Sequence, residues 1–184
     1  MDNNSLYRNA MQFGAYNGLA KFVLFLLLYF TVANPLGNWT MLGALFTITF
    51  IAIGTKQFRD QACDGYITYG RALAAGLMVA VFSSALYAIL LYLFGTLADG
   101  TILDAYKKEN ITNLDEARKY LSSEKLLSKM DEAAEEIQKM SLGRLCTGFF
   151  TNGLIGGLVI SLITAAIFRK NKPLFDESST GNTM

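Results

Sequence analysis

Residues Ala72–Ala98 read ALAAGLMVAVFSSALYAILLYLFGTLA, with Arg71 before them, Asp99 after them and no charged residue between. A helix that crosses a bilayer needs about 20 mainly apolar residues, and this run is longer. Two other windows share the property. Leu145–Phe168 is uncharged and is closed at once by Arg169, Lys170 and Lys172. Phe22–Thr55 is uncharged around one break, Asn34-Pro35-Leu36-Gly37-Asn38. Together they leave room for four spans. The expected fold is all-α: an integral membrane four-helix bundle with an extramembrane helical insertion between the third and fourth spans. The spans fall at about 13–33, 37–54, 72–98 and 145–168, the insertion at 99–144, and a polar tail, expected to be disordered, at 169–184.

Composition agrees. The 184 residues are 52% hydrophobic and 17% charged, against about 25% charged in soluble domains. The net charge of +1 gives no electrostatic reason to expect a nucleic acid partner. The absence of His removes the usual general base and transition-metal ligand. Phe22–Ala33 resembles the apolar part of a signal peptide. Gly14, Tyr16, Gly18 and Leu19 before it read as more helix, so a retained span is expected.

Basic residues orient the spans. Lys56, Arg59 and Arg71 flank a short polar connection, and Arg169–Lys172 follow the last span. The positive-inside rule makes both cytoplasmic, together with both termini, and leaves 99–144 in the periplasm of a bacterial inner membrane. Pro35 and Gly37 supply the first external turn, with Trp39 as an interfacial anchor. Cys63 and Cys146 then lie on opposite sides, so no disulfide between them is expected.

Within 99–144, Asn113 with Glu116 is expected to start one helix and Ser123 with Glu124 another. Leu126, Met130, Ala133, Ile137 and Met140 form a narrow apolar seam, and Gly143 is the expected stop. Such a seam either binds a partner or packs on its own neighbour; the second is the commoner fate.

Small residues recur every four positions: Ala10, Gly14 and Gly18; Ala72, Gly76, Ala80 and Ser84; Gly153, Gly157 and Ser161. In lipid, helices associate by close backbone approach, which such faces permit. Lys21 is the one charge expected inside a span, and it shares a face with Gly14, Asn17 and Gly18. An intramembrane cation is a candidate site. Placed in the cytoplasmic half, Lys21 is instead expected to snorkel to the headgroups. Thr151 and Asn152 are expected to hydrogen-bond between helices. The sequence contains no phosphate-binding loop, Cys-x-x-Cys pair, metalloprotease helix or nucleophile elbow.

The cytoplasmic connection is the most distinctive stretch: Gly54-Thr55-Lys56-Gln57-Phe58-Arg59-Asp60, then Gly65-Tyr66-Ile67-Thr68-Tyr69-Gly70-Arg71-Ala72, then Gly76. With the final Ala165-Ala166-Ile167-Phe168-Arg169-Lys170 it resembles the domain of unknown function 4199 family, small multi-span membrane proteins of Bacteroidetes. Phe58 stands where similar chains often carry Tyr. The resemblance implies location and architecture and no activity. Locally, Arg59 and Asp60 are candidates for a surface role at the headgroups, and Gly65 and Gly70 for a tight re-entry into the third span.

The expected function is that of an uncharacterised, non-enzymatic membrane protein. It would act through protein–protein contacts of its external amphipathic helix, as a homo-oligomer or with a membrane-protein partner. The alternative is a small-solute transporter or channel using the Asn17/Lys21 face. No cofactor or metal is expected.

Overall fold

The computed structural model describes residues 3–31, 34–37, 41–120 and 123–172. The expectations for Ala33 and Trp39, and for the tail from Pro173, lie outside them. Among the described residues the regular structure is all-α, with no strand. Its helices are α1 (Asn3–Thr31), α2 (Leu42–Ala62), α3 (Tyr69–Leu97), α4 (Ile102–Arg118), α5 (Glu124–Gln138) and α6 (Leu142–Phe168). One isolated antiparallel bridge joins Ile67 to Lys170.

Three of these helices, α1, α3 and α6, are long and apolar enough to cross a membrane. The uncharged part of α2, Leu42–Thr55, covers only about 21 Å at 1.5 Å per residue, against ~30 Å for the hydrocarbon core. Helix α1 begins well before Phe13, because Asn3–Gln12 holds neither Pro nor Gly to stop it. In the insertion, Asn113 lies inside α4 and not at a helix start; the helix already begins at Ile102. Ser123 does precede α5, although its hydroxyl makes no cap bond. Gly143 belongs to the first turn of α6 and stops nothing. That helix starts at Ser141, whose hydroxyl accepts from the Arg144 N–H at 3.3 Å.

Helix α3 is central and packs most extensively on α6 and α1, while α2 fills the gap beside α1 and α6. Large apolar side chains cover the outside, and several polar side chains are buried within an otherwise apolar interior. Leu27, Phe30, Leu45, Ile155, Val159 and Ile167 point outward, whereas Asn17, Thr47, Ser83, Ser84, Ser161 and Thr164 are buried. Exposed apolar area on that scale fits lipid as solvent.

The small-residue faces meet one another. A β-carbon on Gly14 would stand 2.5 Å from Cβ of Phe82, and one on Gly76 would stand 2.7 Å from Oγ of Ser161. Gly157 abuts Ala80 and Gly153 abuts Ser84 with no room for any side chain. Gly18 lies against the Ser83 carbonyl, while Ala72 is buried further along α3, in the cluster with Phe58 and Ala165. These contacts join α1, α3 and α6 backbone to backbone.

Three apolar clusters run along the helices. Phe58, Cys63, Ile67, Ala72 and Ala165 close one end. Ala10, Phe13, Ile51, Val79 and Ala80 form the middle. Phe25, Leu36, Tyr87, Leu91 and Leu145 close the other end, where Ile102 of α4 is inserted. Both cysteines are free and buried, one in each end cluster.

Candidate functional site

Lys21 points inward. Its Cγ lies 3.6 Å from where a β-carbon on Gly43 of α2 would be, so the stem passes over a glycine. It follows Asn17, the midpoint of the 29-residue α1, toward the Thr31 end. The stem expected to snorkel from the cytoplasmic half instead lies against α2 here. Because α1 starts at Asn3, Lys21 stands past its centre, and the nearest surface for its stem is the α1–α2 contact.

Lys21 lines a cavity of about 320 Å³ between α1, α2, α3 and α6. Phe25, Tyr87 and Gly157 form buried walls, whereas Met41, Asn152 and Gly156 are exposed at the mouth. Among the described residues Lys21 has no hydrogen bond and no carboxylate partner. The Tyr87 side chain, only 8% exposed, likewise has no hydrogen-bond partner for its hydroxyl among them. Asn152 opens onto the mouth and does not bridge helices. Thr151 bonds back to the Thr147 carbonyl of its own helix at 2.9 Å.

Asn17 is fully buried, and neither its Oδ1 nor its Nδ2 has a partner among the described residues; the same holds for the Ser83 and Ser161 hydroxyls. Buried polar atoms left unpaired cost about 1–3 kcal/mol each. Asn17 lies one helical turn before Lys21 but does not line the cavity.

Arg59 and Asp60 belong to a different place, at the far end of α2, about 24 Å from Gly43 at 1.5 Å per residue. Nε of Arg59 donates to Oδ1 of Asp60 at 2.7 Å, and the guanidinium sits 5.6 Å from the centre of the Phe168 ring. The Arg59 hydrogen bond holds the Asp60 carboxyl below its usual range. Arg71 lies over the Phe58 ring at 5.8 Å, and Lys170 over Tyr66 at 5.2 Å. The Ile67 and Lys170 backbones exchange two 2.9 Å hydrogen bonds. These residues form a clasp that fastens the α2–α3 connection to the end of α6. Asp64 and Gly65 both take positive φ, 52° and 79°, so the turn needs its glycine. Gly70 does not serve the turn; it lies in the first turn of α3, with open space around it.

At the opposite end α4 and α5 pair as an antiparallel hairpin. Leu127, Met130, Ala134, Ile137 and Met140 are half-buried, while Leu126 remains exposed. Arg118 pairs with Asp131, and Nζ of Lys107 donates to the Gln138 carbonyl at 3.0 Å. Asp99 shapes the step from α3 into α4. Its Oδ1 accepts from the N–H and hydroxyl of Thr101 at 2.8 and 2.7 Å, and its Oδ2 accepts from the Tyr29 hydroxyl at 2.9 Å. Those donors, the Thr101 N–H first, hold the Asp99 carboxyl below its usual range.

Long apolar helices with outward apolar faces and buried polar side chains among them define an all-α membrane protein. The family model described as protein of unknown function (DUF4199) matches residues 12–170, and the chain belongs to that family. No curated protein and no solved structure matches the chain.

Proposed function

We propose that this is a non-enzymatic, four-span protein of a bacterial inner membrane that binds an anionic ligand at Lys21, as a carrier or transporter does. The observation that carries the reading is that Lys21, without a partner among the described residues, lines a cavity among four helices. A cation in that setting is costly unless something neutralises it, and among the described residues no carboxylate does. An anion from outside the chain supplies the missing charge. The termini and the Arg59–Asp60 clasp are cytoplasmic, and the α4–α5 hairpin is periplasmic.

The test is thermal unfolding in detergent with a panel of anions, from chloride and acetate to benzoate and longer carboxylates. At least one class should raise the midpoint of the wild type and leave Lys21→Met unmoved. No anion-dependent shift in the wild type would overturn the reading.

A second reading, contact with a protein partner through the hairpin, draws on Tyr120, 87% exposed, and Leu126, 45% exposed, which flank the α4–α5 turn. The seam itself is half covered by α4, so such a partner would sit on the tip and not along the helix. Crosslinking in intact cells from a photoreactive residue at position 120 tests it, and a single defined partner is the expected product.

A further inference from the structure

The mouth of the Lys21 cavity does not open onto a charged surface. Its rim is Met41, 76% exposed and immediately before α2, with Asn152 and Gly156 of α6. Around that rim the outward faces are Leu45 and Ile48 on α2 and Ile155 and Val159 on α6, all at least 48% exposed. In the membrane these faces meet lipid chains, so the entrance lies between α2 and α6 on the lipid-facing side. A ligand arriving there needs an apolar body. The interior also carries polar groups, because Lys21 and Tyr87 both line it and neither has a hydrogen-bond partner among the described residues. The remaining walls, including Leu24, Leu28, Phe149 and Ile160, are apolar. A volume of about 320 Å³ is at the small end for ligand pockets. It suits one compact head with the start of one chain better than a two-chain glycerolipid.

We propose that the cavity takes the carboxylate head of a single-chain amphiphile, a long-chain fatty acid anion, delivered sideways from the bilayer through the α2–α6 gap. The carboxylate accepts from Lys21 and Tyr87, and the chain leaves past Gly156 into lipid. This rests on the anion-binding reading above and adds the source and the body of the ligand. Charge-assisted bonds of this kind are stronger than neutral ones, and an apolar environment strengthens them further.

The test uses the full-length protein in phosphatidylcholine nanodiscs and measures retention of radiolabelled oleate. Three probes are compared: oleate, oleyl alcohol with the same chain and no charge, and butyrate with the same charge and almost no chain. Oleate should bind at one per chain. Oleyl alcohol and butyrate should each bind at least about tenfold more weakly. Lys21→Met should lose about tenfold in oleate affinity, and Lys21→Arg should keep most of it. Gly156→Leu is the second variant. A β-carbon at Gly156 meets nothing within 4 Å, so the added side chain leaves helix packing intact and occupies the mouth. It should abolish oleate retention at an unchanged unfolding midpoint. Equal binding of oleyl alcohol and oleate, or oleate retention undiminished in folded Lys21→Met, overturns the inference. Butyrate binding as tightly as oleate, and only with Lys21 present, overturns the amphiphile and leaves the anion site standing. Retention of neither carboxylate overturns both.

Discussion

The side-chain amide of Asn34 donates to Oε2 of Glu109 at 2.6 Å, tying the turn after α1 to a helix 75 residues further along. Oδ1 of the same Asn34 accepts from the Leu36 N–H at 3.0 Å, so a single buried side chain shapes the turn and docks it. Leu36 then enters the cluster that includes Tyr87 and Ile102.

Glu109→Ala removes the acceptor and leaves the Asn34 amide without it. Hydrogen bonds to charged groups contribute about 1.5–3 kcal/mol, and a loss of that size is expected in chemical unfolding in detergent micelles. Glu109→Gln keeps an acceptor oxygen and should lose less.

Gly157→Leu drives a side chain into Ala80 of α3. Overpacking typically costs about 1–3 kcal/mol, and here the obstruction begins at the first side-chain carbon, next to the opposing helix. The unfolding midpoint should fall clearly. Gly148→Leu on the same helix meets open space and should leave it unchanged. Equal effects of the two would mean that the α3–α6 contact is not set by glycine.

Acid should destabilise the α3–α4 junction through Asp99. Its folded pKa is depressed, so its contribution is present above the unfolded value of about 3.9 and disappears as pH falls through the folded one. The wild-type midpoint should therefore drop below about pH 4 by more than that of Asp99→Asn, in which there is no carboxylate to titrate. Parallel curves for the two proteins would deny Asp99 this role.

Sidedness is open to a labelling test. Gln61 and Ser128 are both exposed, near opposite ends of the molecule. With Cys63 and Cys146 replaced by Ser, Ser128→Cys should react with a membrane-impermeant maleimide added to intact spheroplasts. Gln61→Cys should react only after lysis. The reverse pattern would invert the threading.

Some of this was written locally. Ser123 before Glu124 marked a helix start at the right place, although the Ser123 hydroxyl makes no cap bond. The same kind of signal misled at Asn113, where Asn and Glu three apart also sit comfortably inside a longer helix. The short uncharged length of α2 could be read from Lys56 and Arg59. Tyr87 could not be read as a cavity residue. A tyrosine in an apolar run carries no mark of what its hydroxyl faces.

What the residues alone determined is the solvent. An uncharged run such as Ala72–Ala98 is intolerant of water at its full length, and its small-residue spacing already calls for close helix contact. What only the tertiary structure decided is which faces meet, and therefore that Lys21 passes over Gly43 into a cavity instead of outward to headgroups. Periodicity places a residue on one side of its own helix. Whether that side is met by lipid, by a neighbouring backbone or by an empty space depends on helices far away in the chain, here α2, α3 and α6 closing around a single turn of α1.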